Sequence, residues 1–211
     1  MKKILKRMTG IFLCVAMAVG IFGTTPAFAE GEDVSAQNTQ AQAAQWPTGP
    51  EVQASSAVVM DASTGTVLFE KDADTPRYPA SITKVLTALV ALENGQLTDN
   101  VTFSHDSVAF LQRGDSSVGL KEGNVITLDQ AMHAMLLASA NEAAYAIGES
   151  VGVNAGHDYN WFIEQMNSRC KELGGENSNF ANTNGLHDPN HYTCARDMAL
   201  IGRELFKHPE F

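Results

Sequence analysis

Ser81 and Lys84 stand three residues apart in Ser81-Ile82-Thr83-Lys84, which puts a hydroxyl and an amine on one face of any helix that holds them. Free serine is a poor nucleophile. An adjacent amine takes its proton when burial or other cations depress the amine's pKa, and a helix amino terminus favours the negative charge that develops in its first turn. The pair therefore suits a nucleophile and its general base. Both residue types are common, so the spacing also arises by chance, and an N-capping Ser81 beside a solvated Lys84 is the competing reading. Further on, Ser139-Ala140-Asn141 lies between two helical runs, where a break would turn a hydroxyl and an amide into a cleft. Taken alone, the tripeptide reads more simply as a helix–helix turn capped by Ser139 or Asn141.

Other residues with chemical potential point to less. His187-Asp188 and His191 raise the idea of a metal hydrolase, but Pro189 and Asn190 between them indicate a turn rather than a helix face. The chain has no Cys cluster and no His-Glu-x-x-His run, so no metal ligand set is assigned. Asn184, His187 and Asp188 read instead as loop residues that order the turn beneath a helix starting near Thr193. Cys170 and Cys194 are given no nucleophilic or metal role, and whether they pair is left open.

The elements that must position these groups can be read from periodicity. Ala57-Val58-Val59-Met60-Asp61 and Thr66-Val67-Leu68-Phe69-Glu70 flank Ala62-Ser63-Thr64-Gly65, which predicts a hairpin. Apolar residues at 82, 85, 86, 89, 90 and 92 follow helical spacing until Asn94-Gly95, so a buried helix starts near Ser81. Thr127-Leu128-Asp129-Gln130 matches a capping box that opens a helix over Ala131 to Ala138. Asn141 to Val151, Asp158 to Leu173 and Thr193 to Phe206 are helical by period and composition. No internal repeat is present.

Ahead of this lies an export address. Met1 to Arg7 is basic, Met8 to Gly23 is an apolar run of about 16 residues, and Ala27-Phe28-Ala29 supplies small residues before Glu30. The run is shorter than the roughly 20 residues needed to span a bilayer, so cleavage after Ala29 is expected and the mature protein is exported. Residues 30–54 are rich in Gln, Ala and Gly and read as a disordered linker before a domain over 55–211. Fourteen Lys+Arg against 24 Asp+Glu give a net charge of −10. Lys2, Lys3, Lys6 and Arg7 belong to the leader, so the mature chain is more acidic still, which argues against nucleic acid as a partner. At 44% hydrophobic, the chain can build an apolar core.

Ser-x-x-Lys followed by Ser-x-Asn in an exported chain is the pattern of the penicillin-recognising serine enzymes. The runs DASTGTVLFEKDADTPRYPASITKVLTALVALENG, LLASANEAAYAIGE and FANTNGLHDPNHYTCARDMALIGRELF resemble the low-molecular-weight penicillin-binding proteins, serine-type D-alanyl-D-alanine carboxypeptidases. The likeness extends over about Ser55 to Phe211. It implies an α+β, β-lactamase/transpeptidase-like fold, in which a five-stranded antiparallel sheet is flanked by helices and an inserted helical subdomain carries Ser139 to Asn141. It further implies Ser81 as the acyl-enzyme nucleophile, Lys84 as general base, Ser139 as proton relay and Asn141 as the residue that holds the substrate amide. The substrate implied is a peptidoglycan stem peptide, β-lactams are the implied inhibitors, and no cofactor is implied.

The third motif of that family, Lys-Thr-Gly, has no match between Asn141 and Phe211. Three of the five strands and any membrane-associating carboxyl-terminal helix are therefore expected beyond Phe211, and the chain reads as a fragment whose membrane attachment is not legible. Two other functions stay open: a non-catalytic wall-binding module and a serine β-lactamase. A class A β-lactamase shares the first two motifs but has Asp where Ala140 stands and a deacylating Glu in a Glu-x-x-Leu-Asn run that this chain lacks.

Overall fold

The structure, a computed structural model, describes residues 49–211. The export address and the linker up to residue 48 lie outside the described residues. In chain order the elements are β1 Ala57–Met60, β2 Val67–Lys71, α1 Thr83–Asn94, β3 Asn100–Thr102, α2 His105–Ala109, β4 Val125–Thr127, α3 Leu128–Leu137, α4 Asn141–Asn154, α5 Tyr159–Glu172 and α6 Ala195–Leu205. The architecture is α+β.

α1 sits at the centre because its sequence, TKVLTALVALEN, is apolar on nearly every face. Leu86, Ala88, Leu89, Val90 and Ala91 are all buried, as a helix packed on several sides requires. α3, α4, α5 and α6 pack around it. Their share of the core includes Met135, Ile147, Phe162, Met166, Ile201 and Leu205, each worth about 1.5–3 kcal/mol of apolar burial. Ten of the fourteen residues of α4 are buried, and five of those ten are Ala or Gly. Small side chains there let its neighbours approach closely. α3 opens with the expected capping box: Thr127 Oγ1 accepts from the Gln130 N–H, and Gln130 Oε1 accepts from the Thr127 N–H.

β1 and β2 pair antiparallel, Ala57 opposite Lys71 and Val59 opposite Phe69, with a bulge between Val59 and Met60. Their turn is organised by Asp61. Its carboxylate accepts from Ser63 Oγ, the Thr64 N–H and Thr64 Oγ1, which hold its pKa down at about 2. Gly65 completes the turn at φ +78°, in the left-handed region that favours glycine. α6 buries Met198, Ile201 and Leu205 and packs on β1, while Arg196 reaches Glu70 and Asp74 and Arg203 reaches the Ala62 and Ser63 carbonyls. Val52 to Ser56, where linker gives way to domain in the sequence reading, are also held: Lys71 Nζ donates to the Val52 and Ala54 carbonyls and Arg77 to Ser55 and Ser56.

All five long helices and the hairpin lie where periodicity put them, to within a few residues. Periodicity did not reveal a second small sheet, β3 with β4, or the single-turn-and-a-half α2. Strands of three residues are too short to display a two-residue repeat. Cys170 and Cys194 are both buried and unpaired, which answers the disulfide question in this structure.

Candidate active site

Ser81 belongs to a 3-10 turn, Ala80–Ile82, that runs directly into α1. No side chain caps either the turn or α1. Lys84 lies one turn further, and its side chain is directed inward: the residue is 2% exposed. The capped-and-solvated reading of this pair is thereby overturned. Ser139 fills the break between α3 and α4 with φ +56°, a left-handed conformation that costs a serine about 1–3 kcal/mol and persists only where its surroundings impose it. α4 begins at Asn141 without a side-chain cap, so the capping reading of Ser139 and Asn141 fails as well.

These four residues converge. Lys84 Nζ lies 3.1 Å from Ser81 Oγ and 2.8 Å from Asn141 Oδ1, and Ser139 Oγ lies 2.8 Å from Ser81 Oγ. The third Lys84 contact, 2.7 Å to the Asn184 carbonyl oxygen, involves a residue read from sequence only as a loop former. An ammonium has three protons and no acceptor, so three oxygens saturate it and fix its direction. The same logic orients Asn141: its oxygen must face Lys84, and its amide nitrogen makes no hydrogen bond to protein among the described residues.

Burial is the main cause that pulls the Lys84 pKa down from 10.5 to about 8, with the Glu142 carboxylate opposing it. The lowered pKa makes the free amine accessible near neutral pH, and in that form the 3.1 Å contact runs from the Ser81 hydroxyl to Nζ. Glu142, fully buried in the first turn of α4, spends Oε1 on the Ser117 hydroxyl and the Val118 and Gly119 N–H groups. It thus ties the loop over 117–119 to the helix that carries Asn141.

The loop that supplies Asn184 is locked on both sides. Asn182 Oδ1 accepts from the Gly185 N–H, and its Nδ2 donates to the Leu186 carbonyl. Thr87 Oγ1 donates to the Thr183 carbonyl. Gly185 has φ +87°, and a Cβ there would overlap the carbonyl of Ala80, next to Ser81. His191, 1% exposed, fastens the far end of this segment. Its Nδ1 accepts from the Ala181 N–H at 3.0 Å, which leaves the proton on Nε2 to be donated to Thr83 Oγ1 at 2.7 Å. With both ring nitrogens committed, His191 is a structural strut rather than the metal ligand raised from sequence. His187 packs edge-on against Tyr78.

The matched family model, described as D-alanyl-D-alanine carboxypeptidase, extends over residues 36–211. The chain belongs to that family. Among similar D-alanyl-D-alanine carboxypeptidases are DacF of Bacillus subtilis, 34% identical across 74% of this chain and 40% of its own length, and DacA of Escherichia coli, 35% identical across 76% and 41%. The chain thus spans about two-fifths of the length of these relatives. The fold is similar to that of the Streptomyces DD-transpeptidase, with a TM-score of 0.71 and 30% identity over 78% of this chain and 64% of that one. Penicillin-binding protein 5 of Haemophilus influenzae is similar too, at TM-score 0.67 and 32% identity over 76% of this chain and 47% of its own. This carboxypeptidase-family chain therefore has the fold expected from its motifs.

Proposed function

We propose that the protein is an exported, serine-type D-alanyl-D-alanine carboxypeptidase that removes the terminal D-alanine from peptidoglycan stem peptides and is acylated by β-lactams. The observation that carries this reading is the buried Lys84 amine within hydrogen-bond reach of Ser81 Oγ, with Ser139 on the other side of the same oxygen. Neither a surface charge nor a helix cap produces that arrangement.

The chemistry follows from the contacts. Ser81 Oγ attacks the carbonyl carbon of the penultimate D-alanine while its proton passes to Lys84 Nζ. The Asn141 amide nitrogen, unused by the protein, donates to the acyl-side peptide carbonyl and holds it in register. As the tetrahedral adduct collapses, the C–N bond breaks and the proton returns from Lys84 by way of the Ser139 hydroxyl to the leaving amine. D-Alanine departs. Water then attacks the Ser81 ester, giving up its proton to the same amine, and releases the shortened peptide. Ala140 in place of an acidic residue, and the absence of a Glu-x-x-Leu-Asn run, favour this slow deacylation over that of a β-lactamase.

The experiment is the intact mass of the mature protein after incubation with benzylpenicillin, with Ser81→Ala alongside. A single adduct that the variant lacks supports the nucleophile. A folded protein that gains no adduct overturns the reading in favour of a non-catalytic wall-binding module.

A further inference from the structure

The contacts around Lys84 close into a ring. From Nζ the path runs 2.7 Å to the Asn184 carbonyl, then back along the chain to the Ala181 N–H and 3.0 Å to His191 Nδ1. It crosses the imidazole to Nε2, runs 2.7 Å to Thr83 Oγ1, and ends at Lys84, the next residue. Thr83, Lys84, Asn184 and His191 are all buried. Asn182 stiffens the stretch from Ala181 to Asn184 through its bonds to Gly185 and Leu186, and one turn along α1 Thr87 Oγ1 donates to the Thr183 carbonyl at 2.7 Å.

An imidazole suits the step between Ala181 and Thr83. In one neutral tautomer it accepts on one nitrogen and donates on the other, with a fixed distance and no torsion between them. Phe180, itself buried, holds the ring edge-on at a centroid distance of 5.6 Å. Both ring nitrogens are spent on Thr83 and Ala181, so any effect of His191 on Lys84 passes through those two residues. The backbone on either side is fastened independently: Asn179 and Tyr192 exchange both main-chain hydrogen bonds, and so do Arg77 and Thr193. Loss of the imidazole therefore leaves the segment attached but frees the stretch that carries the Asn184 carbonyl.

We infer that His191 is a positioning residue for acylation: its imidazole holds the stretch from Ala181 to Asn184 against the first turn of α1, and so keeps the Asn184 carbonyl on Lys84 and the amine on Ser81 Oγ. The inference rests on the carboxypeptidase reading and adds to it a residue that touches no reacting atom. Such a role has a signature that packing alone lacks. Burial is what lowers the Lys84 pKa, against the charge of Glu142 from α4. When the Asn184 carbonyl backs away, water takes its place on the ammonium and part of that burial is lost, so the rising limb of acylation moves to higher pH. A protein that is merely less stable keeps its limb in place and loses only the fraction of chains that react.

The test follows benzylpenicillin adduct mass against time in the full-length protein between pH 6 and 9.5, with each rate taken per reactive chain from the final adduct yield. Over that range the His191 ring, on which Asp188 is the charge that acts, stays neutral. His191→Phe and Thr83→Val remove the link from its two ends, whereas His191→Gln and Thr83→Ser keep groups that can make it. For the Phe and Val variants the limb moves up by about half to one pH unit and the rate at pH 7 falls about threefold to tenfold; the Gln and Ser variants stay near the natural protein. The Phe and Val changes combined cost no more than the larger single effect, because they break one link. An unmoved limb in Thr83→Val, an isosteric change, overturns the inference even if His191→Phe does not fold. A limb that stays in place while only the adduct yield falls overturns it as well and leaves the carboxypeptidase reading standing. A folded natural protein that gains no adduct overturns that reading and the inference with it.

Discussion

The Asn184 carbonyl accepts from Lys84 Nζ at 2.7 Å although the two residues are a hundred positions apart in the chain. This contact joins the segment over 179–193 to the first turn of α1. A carbonyl cannot take up a proton near neutral pH, so it anchors the amine without competing with it for one. The amine that faces Ser81 is therefore placed by the backbone of a distant loop as much as by its own helix.

Lys84→Ala is expected to slow acylation by benzylpenicillin by about 10²–10⁴, the usual contribution of a positioned general base. Binding of the peptide should change much less, because Lys84 is buried behind Ser81. Adduct mass followed against time measures the rate, and competition by a non-hydrolysed peptide measures binding. Acylation at the normal rate in Lys84→Ala would show that another group takes the proton.

If Lys84 is the general base proposed above, the acylation rate should rise with pH and level off above about 8, because its free amine accepts the proton and its pKa is pulled down to about 8. Glu142 holds that value up by its charge. Glu142→Gln keeps an oxygen to accept from Ser117, Val118 and Gly119 but removes the charge, so the rising limb should move to lower pH. Pre-steady-state acylation rates between pH 6 and 9.5 for both proteins check the direction of the shift.

Gly185→Ala should disable the site without touching any reacting atom. At φ +87° the new side chain is strained by roughly 1–3 kcal/mol, and its Cβ meets the Ala80 carbonyl. The loop must move outward and take the Asn184 carbonyl with it. A lowered thermal midpoint together with slowed acylation is expected; Gly202→Ala, where a Cβ meets nothing within 4 Å, provides the control.

Sequence reading reached the helices and the hairpin for reasons that are local, and the four residues of the two motifs through their combination and the family resemblance. α1 and α4 are long enough to show their period, and Ser81 with Lys84 share a helix face by spacing alone. What it missed depends on contacts across the fold. Asn184 acts through its backbone carbonyl, which leaves no trace in side-chain type. Glu142 looks like an ordinary first-turn acid at a helix amino terminus, and only its buried carboxylate, turned to the exposed loop over 117–119, reveals its second task. The left-handed Ser139 was equally hidden, since no residue rule marks a serine for positive φ. The density of Asn, Thr, Gly and His in FANTNGLHDPNH was the one signal available for the second wall of the site, and it read as a turn.

His191 carries the last prediction, on stability. Burial pulls its pKa down from 6.5 to about 4 against the weaker pull of Asp188. The folded protein therefore keeps the ring neutral where the unfolded chain would already bind a proton. Above pH 6.5 both states are neutral and the Thr83–His191–Ala181 link is at full strength; as pH falls from 6.5 toward 4, the unfolded state gains a proton first and stability declines. The shift corresponds to a loss of roughly 3 kcal/mol over that window. Protonation of Nδ1 would also set two N–H groups against each other at Ala181. Urea unfolding at pH 7.5, 5.5 and 4.5 should show the decline, and His191→Gln, which cannot titrate, should flatten this part of it while lowering stability at pH 7.5. If His191→Gln loses stability with acid as steeply as the natural protein does, other groups govern the acid limb and His191 is only a packing residue.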